Sequence, residues 1–90
     1  MEIEFDARKA DSNFRKHRIS FAEAATSLID PLALFIEDPD AKGENRWIVF
    51  GMSNRVRLLA VVYTLRGERI RIISARKATR LETNDYAQGI

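Results

Sequence analysis

Ninety residues, 46% hydrophobic and 31% charged, suit one globular domain over residues 1–90 with a single core and little spare stability. With no cysteine and His17 as the sole histidine, disulfides, thiolate metal sites and multi-histidine centres are excluded; no carboxylates stand at metal-ligand spacing, and no cofactor is expected. The formal charge of +2 conceals a regional sort: residues 46–80 hold nine Arg or Lys against Glu68 alone, whereas 1–45 hold six bases and ten acids, and 81–90 add Glu82 and Asp85.

Ile3 and Phe5 alternate with Glu2, Glu4 and Asp6, which predicts a short first strand. Asp6 then caps a helix running to about Arg18, with Ala7, Ala10, Phe14 and His17 as its apolar face. Ser20-Phe21-Ala22-Glu23 is a capping-box pattern that opens a second helix through Ala24, Ala25 and Leu28, and Asp30-Pro31 ends it because the residue before proline leaves helical geometry. Leu34–Ile36 forms a short apolar strand, followed by polar turns at Asp38-Pro39-Asp40 and Lys42-Gly43-Glu44-Asn45. Three longer strands follow: Arg46–Met52, Val56–Leu65 after a Ser53-Asn54 turn, and Arg69–Arg76 after an Arg66-Gly67-Glu68 hairpin turn. Thr79-Arg80-Leu81-Glu82 is a second capping-box pattern, so the tail is helical, with Tyr86 pinning it to the sheet.

The order of strand, two helices, four strands and helix is that of an α+β domain: a mostly antiparallel β-sheet with two N-terminal helices packed on one face and a C-terminal helix. The strand at 56–65 is apolar in both registers, so both sheet faces need cover, from the helices on one side and from the tail or a bound partner on the other. Eight of the nine bases in 46–80 are Arg, whose planar fork pairs bidentately with phosphate. A strand region carrying such charge suits a polyanion; the plainer reading is a solvated strand face. No basic-then-apolar leader or membrane-length apolar run is visible, so a cytoplasmic protein without membrane contact is expected.

Asp6-x-x-Lys9 with Asn13, Lys16-His17, Ser20-Phe21-x-Glu23-Ala24 and Asp30-Pro31 resemble the front half of the BrnT toxin family. Gly43-Glu44-x-Arg46 and Gly51 fit its middle, and Val62-Tyr63-Thr64, Arg66, the run Ile70–Ala78 and Glu82 resemble its back half. Three positions depart: Phe5 where the family commonly has Trp, Arg18 where glycine often follows Lys-His, and Leu65 where a polar residue commonly precedes Arg66. The resemblance implies a compact RelE-like fold, a ribonuclease that arrests translation, and the toxin role in a type II toxin–antitoxin pair. It implies as partner a BrnA-like ribbon-helix-helix antitoxin, a heterotetramer built on the antitoxin dimer, and operator DNA contacted only through the antitoxin.

Metal-independent RNA cleavage needs a base for the 2′-hydroxyl, an acid for the leaving 5′ oxygen, and fixed cations for the charge growing on phosphate. Arg66, at a strand end beside a hairpin, and Arg76, which by strict alternation shares a face with Ile70, Ile72 and Ser74, are the candidate phosphate contacts; each has an internal salt bridge as its alternative. Arg69 and Arg71 fall on the other register, as solvated surface or antitoxin contacts. His17 is the candidate proton carrier, its flanking cations favouring the neutral base, against a capping or packing role. Glu23 is a candidate catalytic carboxylate with a ready capping job. Lys9, in the first turn of a helix, is a candidate for binding RNA phosphate, with Lys77 beside Arg76. Tyr63 and Trp47 are candidates to stack on bases, or to fill the core. The rival functions are a module that grips RNA or ribosomes without cutting and one whose sole job is docking an antitoxin.

Overall fold

The computed structural model describes residues 2–41 and 45–89, so part of the turn expected at 42–45 lies outside the described residues. Its elements are β1 (Glu2–Phe5), α1 (Ala7–His17), α2 (Phe21–Ser27), β2 (Leu34–Glu37), β3 (Arg46–Met52), β4 (Leu58–Arg66), β5 (Arg69–Lys77) and α3 (Arg80–Gln88). The strands form one sheet in the order β1-β5-β4-β3-β2, antiparallel except for the parallel β1–β5 pair.

Local chemistry sets the helix ends. The Asp6 carboxylate accepts from the N–H of Arg8 and Lys9 to start α1, and Arg18 ends it in the left-handed region at φ 60°. That conformation is natural to glycine and strains an L side chain; Arg18 lies over the Phe14 ring, 5.7 Å from its centroid. Thr79 and Glu82 make a full capping box on α3. At α2 only half of the expected box forms: Ser20 accepts the Glu23 N–H, while the Glu23 side chain turns to Ser53 and Arg57. Helix α2 also stops at Ser27, before the Asp30-Pro31 that was expected to end it. Val56 takes φ 58° in the Ser53–Arg57 turn, so β4 begins at Leu58 rather than at Val56.

The core lies between α2 and one sheet face, where Ile19, Phe21 and Ala24 pack on Val49, Leu59, Val61, Tyr63, Ile70, Ile72 and Ala75. Gly51 lets α2 come close, since a methyl there would overlap the Ser27 carbonyl. Helix α1 attaches differently from its expected apolar stripe. Phe14 remains 43% exposed, and the buried residue is Asn13. Its amide donates to the Ile19 and Ala75 carbonyls (3.0 and 2.9 Å) and accepts the Ala75 N–H (3.0 Å). Strand β1 pairs with β5 only as far as Ile72, so Asn13 satisfies backbone groups of β5 that β1 does not reach.

A bulge in β5 changes which side chains share a face. Val62 pairs with Ser74 but Tyr63 pairs with Ile72, leaving Ile73 as the extra residue. The buried positions of β5 are accordingly Ile70, Ile72 and Ala75, spaced by two and then by three. Strict alternation placed Arg76 with Ile70 and Ile72 and put Arg69 and Arg71 on the other register. Arg69 and Arg71, opposite Arg66 and Thr64, do lie on that other register, but the bulge overturns the placement of Arg76: it sits opposite Ala60 and shares with them the face away from α2. Arg46, opposite Thr64 on β3, joins them. Five arginines thus share one face.

Candidate active site

The arginine-bearing face is arranged in cross-strand rows. At the hairpin end lies the row Arg66, Arg69 and Glu2; the next is Arg46, Thr64, Arg71 and Glu4. Further along come Ile36, Ile48, Val62 and Ser74, and then Leu34, Phe50, Ala60 and Arg76. Acidic residues of β1 neutralise part of this charge. Glu4 pairs with Arg71 at 2.7 Å and Arg69 at 3.6 Å, and Glu2 pairs with Arg69 at 3.0 Å.

Arg66 and Arg76 stand at opposite ends of the β4–β5 hairpin. Arg76 is level with Ala60, six residues from Arg66 along β4, a separation of roughly 20 Å. They do not converge on one phosphate, and their surroundings differ. Arg66 is exposed, has no ion pair among the described residues, and lines two open clefts, one with Arg69 and Gly67 and one with Trp47, Asn45 and Thr64. The Arg76 guanidinium is bound bidentately by the Glu82 carboxylate at 2.7 and 2.9 Å. This pair holds Glu82 below the usual carboxylate range, helped by the Thr79 N–H against the opposing effect of burial, and raises Arg76.

Two sequence candidates, Lys9 and His17, do meet in one place. Lys9, Ser12, Lys16 and His17, spaced along one stripe of α1, face Ile73 and Ser74 of β5 across a shallow groove of about 280 Å³. No carboxylate lines it among the described residues. Ser74 projects on the same sheet face as Arg71 and Arg76, so the groove opens beside the arginine rows. It brings two ammonium groups, two hydroxyls and the sole imidazole together, which is a workable set for proton transfer next to a bound phosphate.

Two sequence candidates have structural roles instead. Glu23 is 5% exposed; its carboxylate accepts from Ser53 Oγ at 2.7 Å and from Arg57 Nε at 2.9 Å, with a second, shorter contact to Arg57 Nη2. Arg57 is the main reason its pKa is lowered, burial opposing and Ser53 assisting. An enclosed, doubly committed carboxylate has no access to substrate. Tyr63 is buried on the α2 face, edge-on to Phe35 with ring centroids 6.4 Å apart, so its ring faces are closed to bases. Lys77 is exposed, opposite Leu59, and so on the α2 side of the sheet. Trp47 packs against the core while lining the Arg66 cleft. Sequence reasoning left out Lys16 and Ser74 as members of the site; the stripe Lys9, Ser12, Lys16 was readable from helical spacing, but Ser74 needed the bulge.

The family model described as the ribonuclease toxin BrnT of type II toxin–antitoxin systems matches residues 5–82. The crystal structure of the Brucella abortus ribonuclease toxin BrnT is similar to this chain at 28% identity and a TM-score of 0.69, with 89% of this chain and 99% of that chain covered. No curated protein sequence matches.

Proposed function

This chain belongs to the BrnT family of ribonuclease toxins of type II toxin–antitoxin systems, and from that premise we propose that it is a metal-independent endoribonuclease working in the α1–β5 groove. The observation that carries the proposal is the meeting of Lys9, Lys16 and His17 with Ser74 beside the arginine-bearing face. His17 takes the proton from the 2′-hydroxyl as that oxygen attacks phosphorus, or returns one to the departing 5′ oxygen. The products are a 2′,3′-cyclic phosphate and a free 5′-hydroxyl. Lys9 and Lys16 offset the charge that grows on the phosphate oxygens, as fixed cations do most effectively where water is excluded. Arg66 grips a neighbouring phosphate, and the roughly 20 Å between it and Arg76 suits a strand of several nucleotides laid along the face. Cleavage of this kind arrests translation by destroying message. A cytoplasmic toxin on a RelE-like fold, restrained by a BrnA-like ribbon-helix-helix antitoxin in a heterotetramer that reaches operator DNA through the antitoxin, is the setting we propose for it.

The test is a cleavage assay on an all-ribose oligonucleotide, with and without chelator, beside the same oligonucleotide carrying one 2′-deoxy residue at the cut site. Cleavage that survives chelator and stops at the 2′-deoxy residue is expected. His17→Ala should slow it about 10²- to 10⁴-fold, the usual worth of a placed acid or base. Abolition by chelator, or an unchanged rate for His17→Ala, overturns the assignment. The dispersal of the arginines supports a second reading, in which the face grips RNA without cutting; steady binding with no shortening of all-ribose RNA selects it.

A further inference from the structure

The Glu82 carboxylate occupies a place shaped for an anion. Arg76 presents two N–H groups to it at 2.7 and 2.9 Å, and the Thr79 backbone N–H donates a third bond at 2.8 Å. This is the donor set that holds a phosphodiester: a planar guanidinium fork with a backbone amide beside it. The carboxylate is supplied by the first turn of α3, a helix without a buried residue, tied elsewhere to the body through Tyr86 and Asp30 at 2.6 Å. The Arg76 side chain remains 39% exposed, so an incoming anion reaches it from solvent. The position is on the same sheet face as Ser74, Arg71 and Arg66.

We propose that Arg76 and the Thr79 amide form a phosphodiester cradle that Glu82 plugs in the free chain, and that a backbone phosphate of bound RNA takes the place of the Glu82 carboxylate. The exchange breaks no covalent bond. It trades one charge-assisted fork for another and frees the Glu82 end of α3 from the sheet. The proposal rests on the RNA reading above and adds to it a gate: the third donor and the guanidinium become available to substrate only as Glu82 leaves.

Binding is measured by fluorescence anisotropy on the full chain with a 2′-O-methyl oligoribonucleotide, which cannot supply the attacking hydroxyl. Glu82→Gln keeps an oxygen to cap Thr79 but removes the charge, and should bind about fivefold tighter, the equilibrium worth of a partly exposed ion pair. A general charge effect would act equally without Arg76. The gate does not: in an Arg76→Ala background Glu82→Gln should change affinity less than twofold, and Arg76→Ala should cost more in the Glu82→Gln background than in the wild type. Equal effects in both backgrounds, or no tightening at all, overturn the proposal. Should Glu82→Gln melt early, the wild type decides: the Arg76 side-chain N–H resonance shifts when the oligonucleotide is added if the cradle fills, and stays put if it does not. Failure of the ribonuclease reading shows separately, as all-ribose RNA that is bound but never shortened.

Discussion

At position 23 a carboxylate is held ionised in near-complete burial because Arg57 and Ser53 supply donors on one side and solvent is shut out on the other. Removing one member of such a pair leaves the other poorly solvated, at a cost of about 3–5 kcal/mol where both are buried. The Arg57 side chain keeps 27% exposure and regains some hydration. Glu23→Gln is therefore expected to lower unfolding free energy by about 2–3 kcal/mol at neutral pH, below that fully buried range. The pH dependence has a definite sign. The folded pKa is depressed below the ordinary 4.5, so as pH falls the unfolded chain takes up the proton first. The stabilisation is complete above that ordinary value and drains away as pH drops through the folded one. Urea denaturation of both proteins at several pH values should show the gap between wild type and Glu23→Gln close toward acid; a gap that stays constant would mean that the ion pair is not its source.

Helix α1 shows where a side chain, rather than an apolar stripe, docks an element. Asn13 makes three buried hydrogen bonds, to Ile19 and to both backbone groups of Ala75. Each group orphaned by truncation costs about 1–3 kcal/mol, tempered by any water that enters. Asn13→Ala should thus cost about 2–4 kcal/mol, whereas Phe14→Ala, at a 43% exposed ring, should cost about 1 kcal/mol or less. Chemical denaturation of the two variants tests the order, and a larger loss for Phe14→Ala would restore the apolar-stripe picture. The sequence pattern favours Phe14 because helical periodicity counts polarity and not geometry; nothing local tells that Asn13 meets a β5 backbone 62 residues away. Three signals contained within four residues were legible, the Asp6 cap, the Thr79–Glu82 box, and the Arg66-Gly67-Glu68 hairpin with Gly67 at φ 60°, whereas the Ser20–Glu23 box forms only by half because the Glu23 carboxylate serves Ser53 and Arg57. The β5 bulge was not, since Ile70, Ile72 and Ser74 satisfy strict alternation as well as the true register does. That one extra residue moves Arg76 and Ser74 from the face of Ile70 and Ile72 to the face of Arg69 and Arg71. The groove, by contrast, was half visible, because Lys9 and His17 had already been picked out on chemistry alone and only their common stripe with Lys16 was missing.

Across the whole molecule, folding cancels much of the charge that the sequence concentrates. Of the bases in 46–80, Arg57 meets Glu23, Arg69 meets Glu2 and Glu4, Arg71 meets Glu4, and Arg76 meets Glu82, so acids from both ends of the chain answer the basic middle. Salt dependence of RNA binding measures what is left. Each phosphate neutralised on a single strand contributes about −0.7 to the slope of log affinity against log salt. If Lys9, Lys16, Arg66 and a released Arg76 are the contacts, the slope is about −3, and raising salt from about 50 to about 200 mM weakens binding about 50-fold. Adding Arg46, Arg69 and Arg71 makes seven contacts, which would give a slope of about −5 and a loss of about 1,000-fold over the same range. Anisotropy titrations of the 2′-O-methyl oligonucleotide across that interval separate the two cases. A loss of about 1,000-fold would mean that RNA strips Glu2 and Glu4 from the sheet as well, making the arginine rows one continuous phosphate track. A loss near 50-fold leaves the β1 pairs closed, confines the contact to the groove, Arg66 and the Arg76 cradle, and makes β1 the element that sets how much of the face RNA can use.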